Sequence, residues 1–297
     1  MKFVIIGLGS IGKRHKKNLE NLGHQVFPCH KEDNLRKIII QENPKAVVIC
    51  NPNSLHLKSA TIAAQANRHI FIEKPLSHTL KGVENFLKLI NKKNLVLQVG
   101  YNLRFEPELN RIKDEIIEKK IGKIISAKII CSSYLPDWRP GTDYRKNYGA
   151  RKDLGGGVLL DLSHEIDYAV WLFGKVKNIY AKLQQSVELD IETEAIADLT
   201  VNFKSGVTAT FHLDYTTRGY IRNCQIIGEK GILKWDFAKI KKEWDINQMY
   251  VQEMKHFINT INDQEKPIIS GKEAKYVLKV IEAAKKSNQL DKIEIVD

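Results

Sequence analysis

Residues 3–12 constrain the fold of this 297-residue chain more than any other stretch. Four consecutive apolar residues, Phe3–Ile6, are typical of a buried parallel strand, and they lead directly into a Gly-x-Gly-x-x-Gly motif. Gly7 allows a tight turn, Gly9 allows the backbone to approach a phosphate, and Gly12 allows the next helix to pack closely on the strand. The amides that begin this helix would face a bound phosphate. The stretch therefore predicts a dinucleotide-binding unit rather than a turn that serves packing alone.

Strand and helix patterns continue to alternate after the first predicted helix, which covers about residues 11–22. The further predicted strands are His24–Cys29, Ala46–Cys50, His69–Ile72 and Leu95–Val99. This alternation predicts an α/β fold with a doubly wound parallel sheet, and such sheets bind ligands at the carboxyl ends of their strands. Asn51, Lys74 and residues 101–104 all follow predicted strands. We therefore expect them to line one crevice.

The second half of the chain has a different pattern. A long strand pattern covers residues 123–134. Two hairpin patterns and two amphipathic helix patterns follow, at residues 197–213, 226–233, 247–262 and 272–286. In the first hairpin, apolar and polar residues alternate on both sides of Ser205-Gly206, which predicts a pair of strands with one buried face. These patterns predict a second domain of the α+β class.

The length and composition indicate two globular domains. A chain of 297 residues is longer than most domains with a single hydrophobic core. We place the domain boundary near residue 120, with a Rossmann domain in residues 1–120 and an α+β domain in residues 121–297. No run of about 18 apolar residues is present and the amino terminus has no cleavable signal pattern, so we expect a cytoplasmic protein without a membrane partner. The four cysteines are far apart and form no C-x-x-C pair. They are expected to be buried reduced thiols, and no metal site is predicted.

The formal net charge of +12 raises the question of a nucleic-acid partner. Most of the excess consists of lysines spread along predicted helix faces with acidic residues between them, and no basic block carries stacking aromatic residues. We therefore expect no nucleic-acid partner. The charge favours a solvated surface and, in addition, the attraction of an anionic small-molecule substrate.

The residues after the second predicted strand bear on nucleotide specificity. An acidic residue at this tip binds the ribose hydroxyls of NAD, whereas a basic residue accommodates the 2′-phosphate of NADP. If His30 is the tip, with Lys31 next to it, NADP is favoured; if the strand runs longer, Glu32 reaches the ribose and NAD binds. We favour NADP and keep NAD as the alternative.

Four short motifs, GLGSIGKRH, CNPNSLH, EKP and GYNLRF, and the longer segment GGGVLLDLSHEID extend over most of the chain. Together they resemble the glucose–fructose oxidoreductase/inositol dehydrogenase/MocA family. The resemblance implies a Rossmann domain that binds NAD(P), followed by a domain with an open, largely antiparallel sheet that often forms an oligomer interface. It also implies a homodimer or homotetramer that oxidises or reduces a carbinol of a sugar, a cyclitol or a nucleotide-linked sugar. The alternative is a catalytically inactive regulator or scaffold that keeps the NAD(P) site.

Three residues are candidates for the chemistry. Lys74 resembles the lysine of the family's EKP motif, and an ammonium group there can stabilise a developing alkoxide; the alternative is an exposed lysine at a strand end. His164 is suited to general acid–base catalysis because imidazole titrates near neutral pH; the alternative is a histidine that packs at a helix start. Asp161 is expected to orient His164, although the chain has Asp-x-x-His where the family often has Asp-x-x-x-His.

Further residues are candidates for binding. The predicted cofactor contacts are Gly7, Gly9, Ser10, Ile11, Gly12, His30, Lys31, Asn51, His56, Glu73 and Asn102. The predicted substrate contacts are Arg104, Trp138, Arg139, Tyr144, Arg145 and Asp167. Aromatic and guanidinium groups in the loop of residues 134–145 suit a sugar ring and its anionic substituents. The same groups are equally suited to holding the loop itself, and Asp167 is equally suited to capping a helix.

Overall fold

The computed structural model describes residues 1–296, which form two compact units. The first unit consists of Met1–Asn102 and Asn247–Leu278, and the second consists of Leu103–Ile246 and residues 279–296. This division differs from the predicted boundary near residue 120. The chain leaves the first unit earlier than the sequence patterns indicate, and a later segment returns to it.

The first unit contains a five-stranded parallel sheet within residues 1–102. Its strands are β1 (Lys2–Ile6), β2 (Gln25–Cys29), β3 (Ala46–Ile49), β4 (His69–Glu73) and β5 (Leu97–Gly100), in the order β2-β1-β3-β4-β5. The connecting helices are α1 (Ser10–Asn21), α2 (Leu35–Glu42), α3 (Asn53–Gln65) and α4 (Val83–Lys92). All residues of β3 and most residues of β1 and β4 are buried, as expected for strands covered by helices on both faces. The predicted doubly wound α/β domain is confirmed.

The second unit contains a seven-stranded mixed sheet within its described residues. Its helices are α5 (Pro107–Ile117), α6 (Val158–Asp161), α7 (Ser163–Phe173) and α8 (Phe237–Glu243). Its strands are β6 (Ile124–Ser133), β7 (Val176–Gln184), β8 (Ile196–Phe203), β9 (Thr208–Asp214), β10 (Tyr220–Gly228), β11 (Gly231–Asp236) and β12 (Glu294–Ile295). The order is β11-β10-β6-β9-β8-β7-β12, and the pairs are antiparallel except β6–β9.

Both predicted hairpins are present in this sheet. β8 pairs with β9 and β10 pairs with β11, each in antiparallel register. The buried positions of β8 are Ala197, Leu199, Val201 and Phe203, which alternate with exposed or half-buried residues. One face of the hairpin is therefore apolar and buried, as the alternation predicts.

The segment that returns to the first unit begins with helix α9 (Asn247–Ile261) and continues into α10 (Gly271–Leu290). Met254, Phe257 and Ile261 of α9 pack in one core cluster with Phe3 and Phe71 of the parallel sheet. The helix pattern itself is predicted correctly. The position of this helix is set by apolar surface on distant strands, and this explains why the two compact units differ from the predicted boundary based on chain order.

The described chain has no helix of the length and apolarity needed to cross a bilayer. The four cysteines are free thiols: Cys29, Cys131 and Cys224 are buried and Cys50 is half-buried.

Candidate functional site

The glycine motif forms a loop in which a side chain would clash with the backbone at two glycines and would meet no atom of the described residues at the remaining one. Gly7 has φ +89°, and a Cβ atom there would lie 2.4 Å from the backbone nitrogen of Asn51. A Cβ atom at Gly12 would lie 1.9 Å from the carbonyl oxygen of Gly7. By contrast, no atom of residues 1–296 lies within 4 Å of a Cβ built on Gly9. The first and third glycines are needed for packing, and the second leaves open space that suits the close approach of a ligand.

Helix α1 begins at this open position. Gly9 is its N-cap, and no side chain among the described residues caps its first amides. Ser10 is exposed and Ile11 is half-buried at the helix start. Unpaired amides and the helix dipole form a binding site for an anion at such an end. The loop therefore fits the diphosphate of a dinucleotide.

The end of β2 has the register that favours a basic tip. The strand ends at Cys29, so His30 and Lys31 are the first residues beyond it, and both are exposed. The backbone amide of His30 donates to the carboxylate of Asp33 at 2.7 Å. That acidic side chain therefore stabilises the turn, whereas Glu32 is exposed.

His56 was expected to contact the cofactor, but the structure gives it a scaffolding position. It is 1% exposed, with Nδ1 2.7 Å from the carbonyl oxygen of Pro75 and Nε2 2.8 Å from that of Asn51. Burial lowers the pKa of His56, and a neutral ring donates to one of these carbonyls at a time. His56 thus ties the segment after β3 to the segment after β4 through their backbone carbonyls.

Glu73 also has an internal partner. Its carboxylate accepts a hydrogen bond from Nε2 of His15 on α1 at 2.5 Å, and His15 is fully buried. Glu253 of α9 joins this pair, and one ligand atom from each of the three side chains lies within 4.8 Å of the other two. Two ligands of a single metal ion, each about 2.0–2.2 Å from it, would be separated by roughly 3 Å. The shorter His15–Glu73 distance indicates a direct hydrogen bond, so Glu73 links β4 to α1, and its predicted contact with the cofactor stays a prediction.

Glu253 lacks hydrogen-bond partners for either carboxylate oxygen among the described residues and is fully buried. Desolvation raises the pKa of Glu253 well above its ordinary value, and the negative charge of Glu73 raises it further. The group is therefore held in its neutral form. The sequence gives no signal for this residue, since it lies on an ordinary amphipathic helix.

Lys74 follows β4 directly and is half-buried. The Lys74–Pro75 peptide is cis. Asn102 lies after β5, is 4% exposed and begins a 3₁₀ turn that covers Asn102–Phe105. Asn51, Lys74 and Asn102 therefore occupy the positions after β3, β4 and β5 that the sequence predicts.

In the second unit, the predicted substrate contacts Arg104 and Asp167 bind each other. The Arg104 guanidinium donates through Nε and Nη2 to the two Asp167 oxygens, at 2.9 and 2.7 Å. The side chains are 3% and 1% exposed. A bidentate pair of this burial satisfies both charges internally. Each of these two side chains therefore has a buried structural partner, and the substrate role predicted for them stays a prediction.

Asp161, which we expect to orient His164, is bound by two tyrosines. Helix α6 ends at Asp161, and α7 begins at Ser163, so His164 is the second residue of a new helix. The Asp161 carboxylate accepts from the hydroxyl of Tyr215 at 2.8 Å and from the hydroxyl of Tyr148. His164 itself is half-buried. The sequence gives no signal for either tyrosine, because no local pattern distinguishes them from other aromatic residues.

The loop before the glycine run is held by its own contacts. Nε1 of Trp138 donates to Ser133 at 2.8 Å, and the hydroxyl of Tyr144 donates to the carbonyl of Leu189 at 3.0 Å. Arg139 donates to Asn147 at 3.2 Å, and Arg145 pairs with Asp143 at 3.0 Å. These contacts hold the loop in place, and its predicted contact with a substrate stays a prediction. The Trp138 ring nevertheless remains 40% exposed.

Two family models match the chain. Residues 23–101 match an oxidoreductase family with an NAD-binding Rossmann fold, and residues 109–234 match the GFO/IDH/MocA C-terminal domain. Myo-inositol 2-dehydrogenase from Thermotoga maritima is 27% identical over 97% of this chain and 96% of its own length.

Solved structures share the fold along the whole chain. The WlbA dehydrogenase from Bordetella pertussis, in complex with NADH and UDP-GlcNAcA, has a TM-score of 0.87 at 19% identity, covering 100% of this chain and 98% of that one. Scyllo-inositol dehydrogenase from Lactobacillus casei, with bound NAD(H) and scyllo-inositol, has a TM-score of 0.83 at 20% identity, covering 100% and 99%.

Proposed function

Because the chain belongs to the GFO/IDH/MocA family of NAD-binding oxidoreductases, we propose that this dehydrogenase transfers hydride between NADP and a carbinol or carbonyl carbon of a sugar, a cyclitol or a nucleotide-linked sugar. The observation that carries the proposal is the open space at Gly9, between two glycines that are closed by packing. Such a loop is suited to a bound diphosphate and is not required by packing.

The nucleotide preference is argued from the tip of β2. His30 and Lys31 are exposed directly after the strand, where a 2′-phosphate is accommodated in dinucleotide-binding folds. Asp33 is bonded to the backbone of its own turn. These positions favour NADP, and NAD remains the alternative.

Lys74 and His164 are assigned to the reaction. The bound nicotinamide supplies the hydride acceptor or donor. Lys74 hydrogen-bonds the reacting oxygen and stabilises the negative charge that develops on it. Neutral His164 takes the hydroxyl proton in the oxidation direction and returns it in reduction. A regulator without turnover would need neither residue.

The substrate class follows from the relatives and from the second unit. The similar proteins are named for myo-inositol and scyllo-inositol, and one was solved with UDP-GlcNAcA. In this chain Trp138 is 40% exposed and lies in the same loop segment as Arg139 and Arg145, which favours a sugar that carries an anionic group. We also propose that the enzyme works as a homodimer or homotetramer.

Nucleotide binding and turnover test this proposal first. We expect the protein to bind NADP more tightly than NAD and to turn over a member of a panel of myo-inositol, scyllo-inositol and UDP-GlcNAcA. Gly9→Val should fold normally, because its Cβ meets no protein atom, yet lose affinity for both nucleotides. Replacing His30 and Lys31 by alanine should weaken NADP alone. Unchanged affinity in Gly9→Val would contradict the assigned loop, and tighter binding of NAD would assign the ribose contact to Glu32.

Kinetics of variants test the two catalytic assignments. His164→Asn should lower kcat by roughly 10²–10⁴-fold, and Lys74→Met by roughly 10²–10³-fold, with nucleotide affinity retained in both. If the two residues act on one substrate oxygen, the double variant should lose less than the product of the single losses. Full activity in either single variant would remove that residue from the mechanism.

A further inference from the structure

We propose that Tyr148 contacts the substrate and determines specificity: its phenol oxygen accepts a hydrogen bond from one hydroxyl of a polyhydroxylated substrate while Asp161 holds its own O–H. The inference rests on the proposed oxidoreductase function and adds a recognition contact to it. Asp161 then acts through Tyr148, as a positioning residue.

The first observation is an asymmetry between the two phenols that Asp161 binds. Asp161 is 4% exposed, and its two oxygens accept from Tyr215 and Tyr148. Tyr215 is fully buried, whereas Tyr148 is half-buried. Of these two hydroxyl-bearing rings, Tyr148 is therefore the one with surface available to a ligand.

The second observation is that the backbone around Tyr148 is built to hold it in place. A Cβ atom at Gly149 would lie 2.8 Å from Oδ2 of Asp161, and a Cβ atom at Gly156 would lie 2.2 Å from the carbonyl oxygen of Tyr148. The carbonyl oxygen of Gly149 accepts from the amide of Gly157 at 2.9 Å. These glycines allow the glycine run to pack directly against the tyrosine's own segment. The close packing at Gly156 therefore supports the backbone of Tyr148 beside Asp161.

The chemistry of the held phenol sets what it can bind. Its proton is committed to a carboxylate, so the oxygen offers a lone pair and acts as an acceptor. Donation to a charged acceptor polarises the phenol and strengthens further hydrogen bonds to its oxygen. A sugar or cyclitol hydroxyl is a donor of the required type. The half-exposed tyrosine thus selects for a hydroxyl group at one position of the substrate.

A neighbouring aromatic ring supplies the second feature that a sugar ring requires. Trp138 packs edge-to-face on Tyr215, with ring centroids 5.4 Å apart, and is 40% exposed. Trp138 and Tyr148 therefore rest on the same buried support of Tyr215 and Asp161. An apolar ring and an acceptor oxygen on one rigid base match the apolar face and the hydroxyl groups of a sugar.

The experiment compares Tyr148→Phe with Tyr215→Phe as its matched control. Each variant deletes one hydroxyl that donates to Asp161, but Tyr215 is fully buried and cannot touch a ligand. The substrates are myo-inositol, scyllo-inositol and UDP-GlcNAcA. For each of these compounds that the unaltered enzyme turns over, its monodeoxy derivatives are also tested. Thermal unfolding and NADP affinity are measured for all proteins.

Tyr148→Phe should lower kcat/KM by roughly 10-fold or more for the parent substrate and leave kcat/KM for one monodeoxy derivative unchanged, so that discrimination between the two is lost. Tyr215→Phe should keep that discrimination, whatever its effect on stability. If Tyr148→Phe discriminates between the parent substrate and the monodeoxy derivative as well as the unaltered enzyme does, this inference is overturned and the proposed function is not affected. The same holds if both variants lose the discrimination. If the unaltered enzyme turns over no member of the panel with either nucleotide, the proposed function is contradicted and the inference is overturned with it.

Discussion

Two buried carboxylates of the second unit differ from one of the first unit in how their oxygens are satisfied. In the second unit, Asp167 binds a guanidinium through two hydrogen bonds and Asp161 accepts from two phenols. In the first unit, Glu253 is equally buried, but neither of its oxygens has a partner among the described residues. A buried carboxyl group without donors or a cation stays protonated.

This difference separates two roles for buried acids in one chain. Donors around Asp161 and Asp167 fix the side chains that surround them, namely Tyr148 and Arg104. The carboxylate oxygens of Glu253 have no hydrogen-bond partner among the described residues. Glu253 lies beside Glu73, whose carboxylate is hydrogen-bonded to His15. We therefore expect Asp161 and Asp167 to stabilise the second unit. We expect Glu253 to destabilise the first unit, and to do so more strongly as the pH rises.

The largest effect should come from breaking the satisfied pair. Arg104→Met leaves Asp167 buried, 1% exposed and without its guanidinium, and removal of one partner from a buried pair costs about 3–5 kcal/mol. Urea unfolding followed by circular dichroism measures this loss. The control is the double variant Arg104→Met/Asp167→Leu, which removes both charges and should recover most of the stability. A loss below ~1 kcal/mol in the single variant would show that Asp167 does not depend on Arg104.

Much of the fold could be predicted from the sequence because its signals are local. Buried apolar runs, the glycine motif and the alternation around Ser205-Gly206 each identify an element from neighbouring residues, and the parallel sheet and both hairpins follow from them. The catalytic candidates Lys74 and His164 were located by motifs of the same local kind.

The pairing of the polar side chains could not be predicted, because their partners are distant in sequence. Asp161 and Tyr215 are separated by 54 positions, and Arg104 and Asp167 by 63. Spacing along one segment relates Asp161 only to nearby residues such as His164, whereas the fold of the second unit brings the distant Tyr215 to the same carboxylate. The return of α9 to the first unit depends on distant apolar surface in the same way.

The smaller predicted effect concerns the unsatisfied acid. The pKa of Glu253 is raised in the folded state by desolvation and by the charge of Glu73. Between the unfolded and folded pKa values the folded chain keeps a proton that the unfolded chain has released, so stability falls as the pH rises through this interval. Glu253→Gln cannot ionise, and its amide can donate to the neighbouring carboxylate. The melting temperature of Glu253→Gln should therefore exceed that of the unaltered protein by about 2–4 °C at pH 8, the shift expected for ~1 kcal/mol, and by less at pH 5.

The matched control for this prediction is Asp161→Asn, which makes the same change of carboxylate to amide in the second unit. There the new amide faces two phenols that need an acceptor, so the variant should unfold at a lower temperature than the unaltered protein at both pH values. Because every variant keeps the other titrating groups, such as His56 and His69, the difference between each variant and the unaltered protein isolates the substituted residue. A melting temperature of Glu253→Gln below that of the unaltered protein at pH 8 would mean that the Glu253 carboxyl group is satisfied after all. Opposite signs for the two substitutions would establish that the partners of a buried acid, rather than its burial, decide whether it stabilises its unit.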